Sequence, residues 1–379
     1  MYKKFYTHFV EANPDVQHYA AHSHHYWPDV TLDATIQYWK DSAKLVDSKW
    51  DYFFSTKIPS TQALIAEVLN LSKLEQIVFA PNTHELVYRV LSCFTHLPQV
   101  RVLTTDSEFH SFERQINRLS EGGRFVADKV STLEAETFED RFIEKIKSEK
   151  YDLIFFSQVF FNSGITVNID RIVKAVENIN TVIVIDGYHG FMALPTDLSN
   201  IENRVFYISG SYKYAQGGEG ACFMHVPADC KLRPEYTGWF ASFDELAKRE
   251  AEVKYSEDGL RFAGSTMDLT PIYRLEAVLE LFKRENIKVA DIHAYVQKLQ
   301  KNFLTALAEL KHPHLCEANI LRNDFKNHGH FFAFELGATR LAMDVHEELN
   351  RKGIVTDYRG SRLRFGFGLY QDEKINFKN

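Results

Sequence analysis

Short apolar runs alternate with amphipathic stretches through the first two thirds of the chain. The runs at 100–104, 124–130, 152–157, 181–186, 205–209 and 220–226 have the length and apolar continuity of buried strands. Between several of them, 108–120, 137–149 and 169–179 carry apolar residues at helical spacing, as do 61–71 and 84–94 upstream. Asn82, followed three residues later by Glu85, marks the start of one of these helices in a capping-box-like arrangement. Strands alternating with helices predict an α/β fold with a mostly parallel, doubly wound sheet. Ligands of such sheets bind beyond the carboxyl ends of the strands.

The pattern changes after about residue 268. Two long helical stretches, 271–285 and 288–311, precede a strand at 330–336, a helix at 339–352 and short strands near 354–357 and 362–367. The expected division is a large domain over 30–268 and a smaller α+β domain over 269–379 that includes the N-terminal segment 1–29. No repeat, low-complexity tract or long linker interrupts the chain.

With 379 residues and 45% hydrophobic content, the chain is long enough for one large and one small globular domain. A formal charge of −7 argues against a nucleic-acid partner, which calls for a basic face. The cysteines Cys93, Cys222, Cys230 and Cys316 form no CxxC pair, which fits a reducing compartment. The N-terminus has no continuous apolar segment of the secretory kind and no run approaches a membrane span, so a cytoplasmic location without a membrane partner is expected.

Candidate chemistry concentrates at two neighbouring strand ends. Val182-Ile183-Val184-Ile185 runs into Asp186, and Val205-Phe206-Tyr207-Ile208-Ser209 runs into Gly210-Ser211-Tyr212-Lys213-Tyr214. A carboxylate at one strand end and a lysine just after the next are what pyridoxal 5'-phosphate (PLP) requires. The carboxylate keeps the pyridine nitrogen protonated, and a desolvated lysine forms a Schiff base with the aldehyde.

These segments, together with Arg362-Leu363-Arg364-Phe365-Gly366, resemble the class V aminotransferase family of fold-type I PLP enzymes. Within that family they are most similar to kynureninases, and the likeness spans about residues 20 to 370. It implies a phosphate-binding turn at Ala80-Pro81-Asn82-Thr83-His84-Glu85, with Thr83 and His84 as contacts at a helix N-terminus. It implies Phe109 as the residue stacked on the pyridine ring, with His110 as the fallback. Asp186 takes the ring nitrogen, while His189 and Asn162 stand near the cofactor's phenolic oxygen. Tyr212, Trp239 in Gly238-Trp239-Phe240, and Thr266 in Phe262-Ala263-Gly264-Ser265-Thr266 are implied near the phosphate. Kynureninases carry Asn where this chain has Thr266. Trp239 would make its contact across a homodimer interface.

Arg364 is the expected carboxylate fork of an amino-acid substrate, with Arg362 assigned to the opposite sheet face. His22-Ser23-His24-His25-Tyr26-Trp27 looks at first like a metal motif, but no acidic or cysteine partner lies nearby. Following the family's N-terminal loop, His25 and Tyr26 are expected to line the substrate pocket, with no metal.

The leading expectation is a PLP enzyme acting on a free α-amino acid, with Lys213, Asp186 and His189 as its catalytic group. Hydrolysis of a Cβ–Cγ bond is the kynureninase-like form. An aminotransferase would use the same residues, and a non-catalytic regulatory protein could keep the fold. A cysteine desulfurase requires a cysteine shortly before the carboxylate arginine. Cys316 lies 48 residues upstream of Arg364 (364 − 316), too far to serve.

Overall fold

The computed structural model describes residues 2–243, 252–321, 328–375 and 377. Its strands are β1 (Gln17–His18), β2 (Ile77–Ala80), β3 (Val100–Thr105), β4 (Phe125–Val130), β5 (Leu153–Ser157), β6 (Val182–Asp186), β7 (Val205–Gly210), β8 (Cys222–His225), β9 (Phe331–Glu335), β10 (Ile354–Val355), β11 (Asp357–Arg359) and β12 (Arg362–Gly366). Seven of them form one sheet in the order β2-β8-β7-β6-β5-β3-β4. The pairs β3–β4, β3–β5, β5–β6 and β6–β7 are parallel, while β8 runs antiparallel to both β7 and β2.

The central strands read as unbroken apolar runs because both of their faces are covered. Alternate residues feed two cores: Phe155, Val184 and Phe206 pack into one, and Phe156, Ile183 and Ile185 into the other. Phe112, on the helix His110–Glu121, lies flat on Phe155, with ring centroids 3.7 Å apart and planes 4° apart. Each fully buried phenylalanine of this kind contributes about 2–3 kcal/mol through area removed from water.

Three local expectations needed correction. The run at 220–226 is a strand but turns back antiparallel, and β2 joins the sheet beyond it. The helix expected over 169–179 stops at Lys174. The Asn178 and Ile179 carbonyls instead accept from Arg204, and the Asn178 side chain takes the Asn180 amide. The helix expected from 61 starts a turn earlier, at Ile58 with Pro59 in its first turn, and ends at Leu69, where Asn70 adopts the left-handed conformation.

The remaining strands build a second layer. β11-β12-β9 form an antiparallel sheet, and β1 pairs with β10. The N-terminal segment is thereby stitched to the C-terminal strands, and Ala20 also bridges Gly366. Gly366 is required there: a Cβ would stand 2.3 Å from His22 Nδ1. Among the described residues no helix is long and apolar enough to cross a membrane.

Candidate active site

The carboxyl ends of β2, β3, β5, β6 and β7 converge on a cavity of about 230 Å³. Asp186 enters it from the last position of β6 and Lys213 from the turn after β7. The Asp186 carboxylate accepts the Tyr188 amide at 2.9 Å. The Lys213 amine lies 2.7 Å from His189 Nε2 and about 5 Å from the ring centres of Tyr188 (4.9 Å) and Phe109 (5.1 Å).

Burial governs the electrostatics. It lowers the Lys213 amine to about 7; Asp186 pulls the other way, and Arg364 adds to the lowering. Burial likewise raises Asp186 above the usual carboxylate range, against the Tyr188 amide and the Lys213 charge. His189 is pushed well below its ordinary value by burial and then by Lys213. A neutral His189 can accept from the lysine amine through Nε2. Its Nδ1–H then lacks a partner among the described residues, although it is buried.

This set of groups fits PLP. A carboxylate, a poised amine, an unpaired imidazole donor and the flat face of Phe109 meet in one cavity, which Asn82 and Thr83 close at the N-terminus of the helix Thr83–Leu91. Asn82 caps that helix by accepting the Glu85 amide at 2.9 Å, but the capping box is not reciprocal, because the Glu85 carboxylate turns to Arg89.

Lys213, Asp186, His189, Thr83, Phe109 and Tyr212 all line the cavity. The other expected residues stand off its wall. The His84 side chain is exposed and faces Gln115, whose Nε2 is 2.8 Å from its Nδ1. Asn162 donates to Ser107 at 3.0 Å, leaving the wall to its neighbour Phe161. His110 is exposed beside Glu113. Trp239, 41% exposed, packs on Trp50 and Phe240, and Thr266 is exposed. His25 and Tyr26 are buried against Tyr370 instead of lining the cavity.

Arg364 is buried one residue behind the wall, with Nη1 donating to the Phe161 carbonyl at 2.5 Å. Arg362 does not turn to the opposite face. Residues two apart in a strand share a face, and Arg362 reaches the adjacent Asn162 carbonyl at 3.3 Å.

The sequence reading missed two carboxyl groups, one half-buried and one fully buried. Asp357 sits opposite Arg364 in the β11–β12 ladder and holds it with both oxygens. The signal was the Gly360-Ser361 turn: pairing Arg359 with Arg362 across it puts Asp357 against Arg364. Glu108 is 2% exposed and accepts from Thr105 and Ser157, the strand-end residue paired with Asp186. Burial lifts its carboxyl to about 8. Cys222 also lines the cavity, but burial pushes its thiol up to about 12.

The comparisons with known proteins bear on the family and the fold. The family model for class V aminotransferases matches residues 20–362. A cysteine desulfurase from Pectobacterium atrosepticum is 23% identical over 293 residues, which cover 76% of this chain and 69% of that protein. Among solved structures, the cystine C–S lyase C-DES in complex with its product cysteine persulfide superposes with a TM-score of 0.78 at 16% identity, covering 96% of each chain. A variant of C-DES with glycine covalently linked to its PLP cofactor gives 0.79 at 18% identity, covering 96% of this chain and 95% of that one. The apo cysteine desulfurase of Thermococcus onnurineus gives 0.76 at 18% identity, covering 95% and 91%. These relatives are named for sulfur chemistry, so the narrower likeness to kynureninases is not carried by them. With its matched span, its sheet order and the Asp186–Lys213 pair at adjacent strand ends, the chain belongs to the class V aminotransferase family of PLP-dependent, fold-type I enzymes.

Proposed function

We propose that this protein cleaves a bond at the β-carbon of a small free α-amino acid. Sulfur-containing amino acids are the first class to test. The observation that carries the reading is the Lys213 amine, closed in a cavity with Asp186, 2.7 Å from His189 and held near neutrality by burial. When bound, PLP supplies the electron sink for bonds broken next to the amino-acid nitrogen.

The chain's own groups have separate tasks. With a pKa near 7, Lys213 can take up and return a proton at physiological pH. His189 stays neutral and orients the lysine amine through Nε2. Asp186 offers a carboxylate to the pyridine nitrogen, and Phe109 offers a flat face to the ring. Arg364 is the group for the substrate carboxylate. Val159, Phe161 and Tyr188 give the cavity an apolar and aromatic wall. A desulfurase that hands sulfur to its own thiol is disfavoured: Cys222, the cysteine in the cavity wall, is 3% exposed and is held protonated.

Kynureninase-like hydrolysis of a Cβ–Cγ bond is the second reading, favoured by the aromatic lining of Phe109, Phe161, Tyr188 and Tyr212. The test is to incubate PLP-loaded protein with cystine, cysteine and kynurenine and to quantify persulfide, sulfide, alanine, pyruvate and anthranilate. Release of a sulfur product that survives Cys222→Ser but not Lys213→Ala supports the first reading, and anthranilate supports the second. Stoichiometric amino-group transfer to a keto acid, with no side-chain fragment released, would replace both with an aminotransferase.

A further inference from the structure

Arg364 is held in a particular way. Its Nε and Nη2 donate to the two Asp357 oxygens at 2.8 and 2.5 Å, and Nη1 donates to the Phe161 carbonyl. A guanidinium has five N–H groups. These contacts leave one on each terminal nitrogen, the number that a second carboxylate needs. Asp357 has a further partner, since its Oδ1 also accepts from His22 Nε2 at 2.9 Å. The His22 ring is 1% exposed and stacked on Phe331, with centroids 4.7 Å apart and planes 21° apart. Phe331 also faces the Arg364 guanidinium at 5.9 Å and the His189 ring at 5.3 Å. One aromatic side chain therefore links this network to the histidine that touches Lys213.

We propose that His22 and Asp357 are positioning residues for Arg364, fixing its guanidinium side-on so that its end edge meets the carboxylate of the substrate. This rests on the reading of Arg364 as the carboxylate site. A half-buried aspartate beside an arginine could instead occupy the fork and have to leave when substrate binds. Here departure would break three hydrogen bonds, two to Arg364 and one to His22. The ladder register also sets Asp357 directly opposite Arg364. Asp357 cancels the formal charge of the arginine, so carboxylate recognition depends on the aim of the two remaining N–H groups more than on bare charge. Recognition of that kind is lost when the guanidinium swings, even though the arginine is still present.

The test measures binding to the PLP-loaded protein through the change in cofactor absorbance. The probes are L-alanine and L-alaninamide, which differ in the carboxylate. Wild type should favour alanine, and Arg364→Ala should bring the ratio of the two affinities close to one. Asp357→Asn should cut the ratio by tenfold or more, and His22→Phe, which keeps a ring on Phe331, should cut it at least threefold. His22→Gln, whose amide can reach the Nε2 position, should restore most of the loss. In His22→Phe and Asp357→Asn alaninamide binding should fall far less than alanine binding and cofactor content should be retained, which separates mispositioning from misfolding. If Arg364→Ala removes the preference while Asp357→Asn and His22→Phe retain it, the positioning role is refuted and the carboxylate reading stands. If Asp357→Asn tightens alanine binding, Asp357 is a competitor for the fork and the proposal is overturned. If Arg364→Ala leaves the ratio intact, the carboxylate reading itself fails and takes the proposal with it.

Discussion

Replacing Lys213 by methionine should stabilise the cofactor-free protein, and more so near neutral pH than in base. The wild-type amine has an ordinary value of 10.5 and is lowered to about 7 in the fold by burial. Between those limits the unfolded chain binds a proton that the folded chain has released, so wild-type stability rises with pH across this window. Below about pH 7 the full penalty applies. At about 1.4 kcal/mol per pH unit it comes to about 4–5 kcal/mol, a ceiling because local opening lets the amine reach water. At pH 9 about 2 kcal/mol should remain by the same rule. Methionine keeps the length of the side chain and drops the charge, so its gain in packing is the same at both pH values and cancels in the comparison. For a chain of 379 residues the unfolding entropy is about 0.8 kcal/mol per degree, so the midpoint should rise by about 5 °C at pH 6.5 and by about 2–3 °C at pH 9. Scanning calorimetry of both apoproteins at the two pH values measures this. A wild-type-to-variant gap that is constant with pH, or that grows in base, would refute the argument that burial lowers this amine.

Asp186→Ala should weaken cofactor binding by about 2–5 kcal/mol, since a charged ring nitrogen would be left buried without its partner; equilibrium dialysis against PLP reads this directly. Phe112→Ala should cost about 3–5 kcal/mol in urea unfolding through the cavity left against Phe155, while the absorbance maximum of the bound cofactor stays where it is. We also expect a symmetric dimer by sedimentation, and Trp239→Ser should loosen PLP retention if that exposed indole meets the phosphate of a second copy. A monomer with full PLP occupancy would count against that role for Trp239.

The Asp186–Lys213 pair was legible in the sequence because buried parallel strands appear as continuous apolar runs, and their ends point to where ligands bind. Strand direction was not legible in the same way. Cys222–His225 is apolar whichever way it runs, and only its ladder to β7 and β2 shows the reversal. The end of the helix at Lys174 depends on Arg204, which reaches back from 25 and 26 residues away to the Ile179 and Asn178 carbonyls and which no local pattern reveals. His25 and Tyr26 were expected in the pocket because the resembling family places its N-terminal substrate loop there, yet Tyr370, which holds them elsewhere, lies at the far end of the chain. Asp357 was the exception. Its turn was there to be read, and counting back across Gly360-Ser361 would have paired it with Arg364.

The stitching of the N-terminal segment to β10 and β12 has a consequence for how the molecule matures. The His22–Asp357 contact joins positions 335 residues apart, and the Gln371 side chain reaches the His18 carbonyl across 353. Contacts so distant carry a heavy loop-closure cost and form late. On the ribosome, the strands that end in Asp186 and Lys213 emerge well before Asp357 and Arg364 do. A nascent or C-terminally clipped chain could therefore assemble the strand ends that carry Asp186 and Lys213 while the carboxylate site proposed at Arg364 is still missing. Affinity for PLP and selectivity for substrate should then appear at different moments of synthesis, and substrate selectivity should be the property that depends on an intact C-terminus.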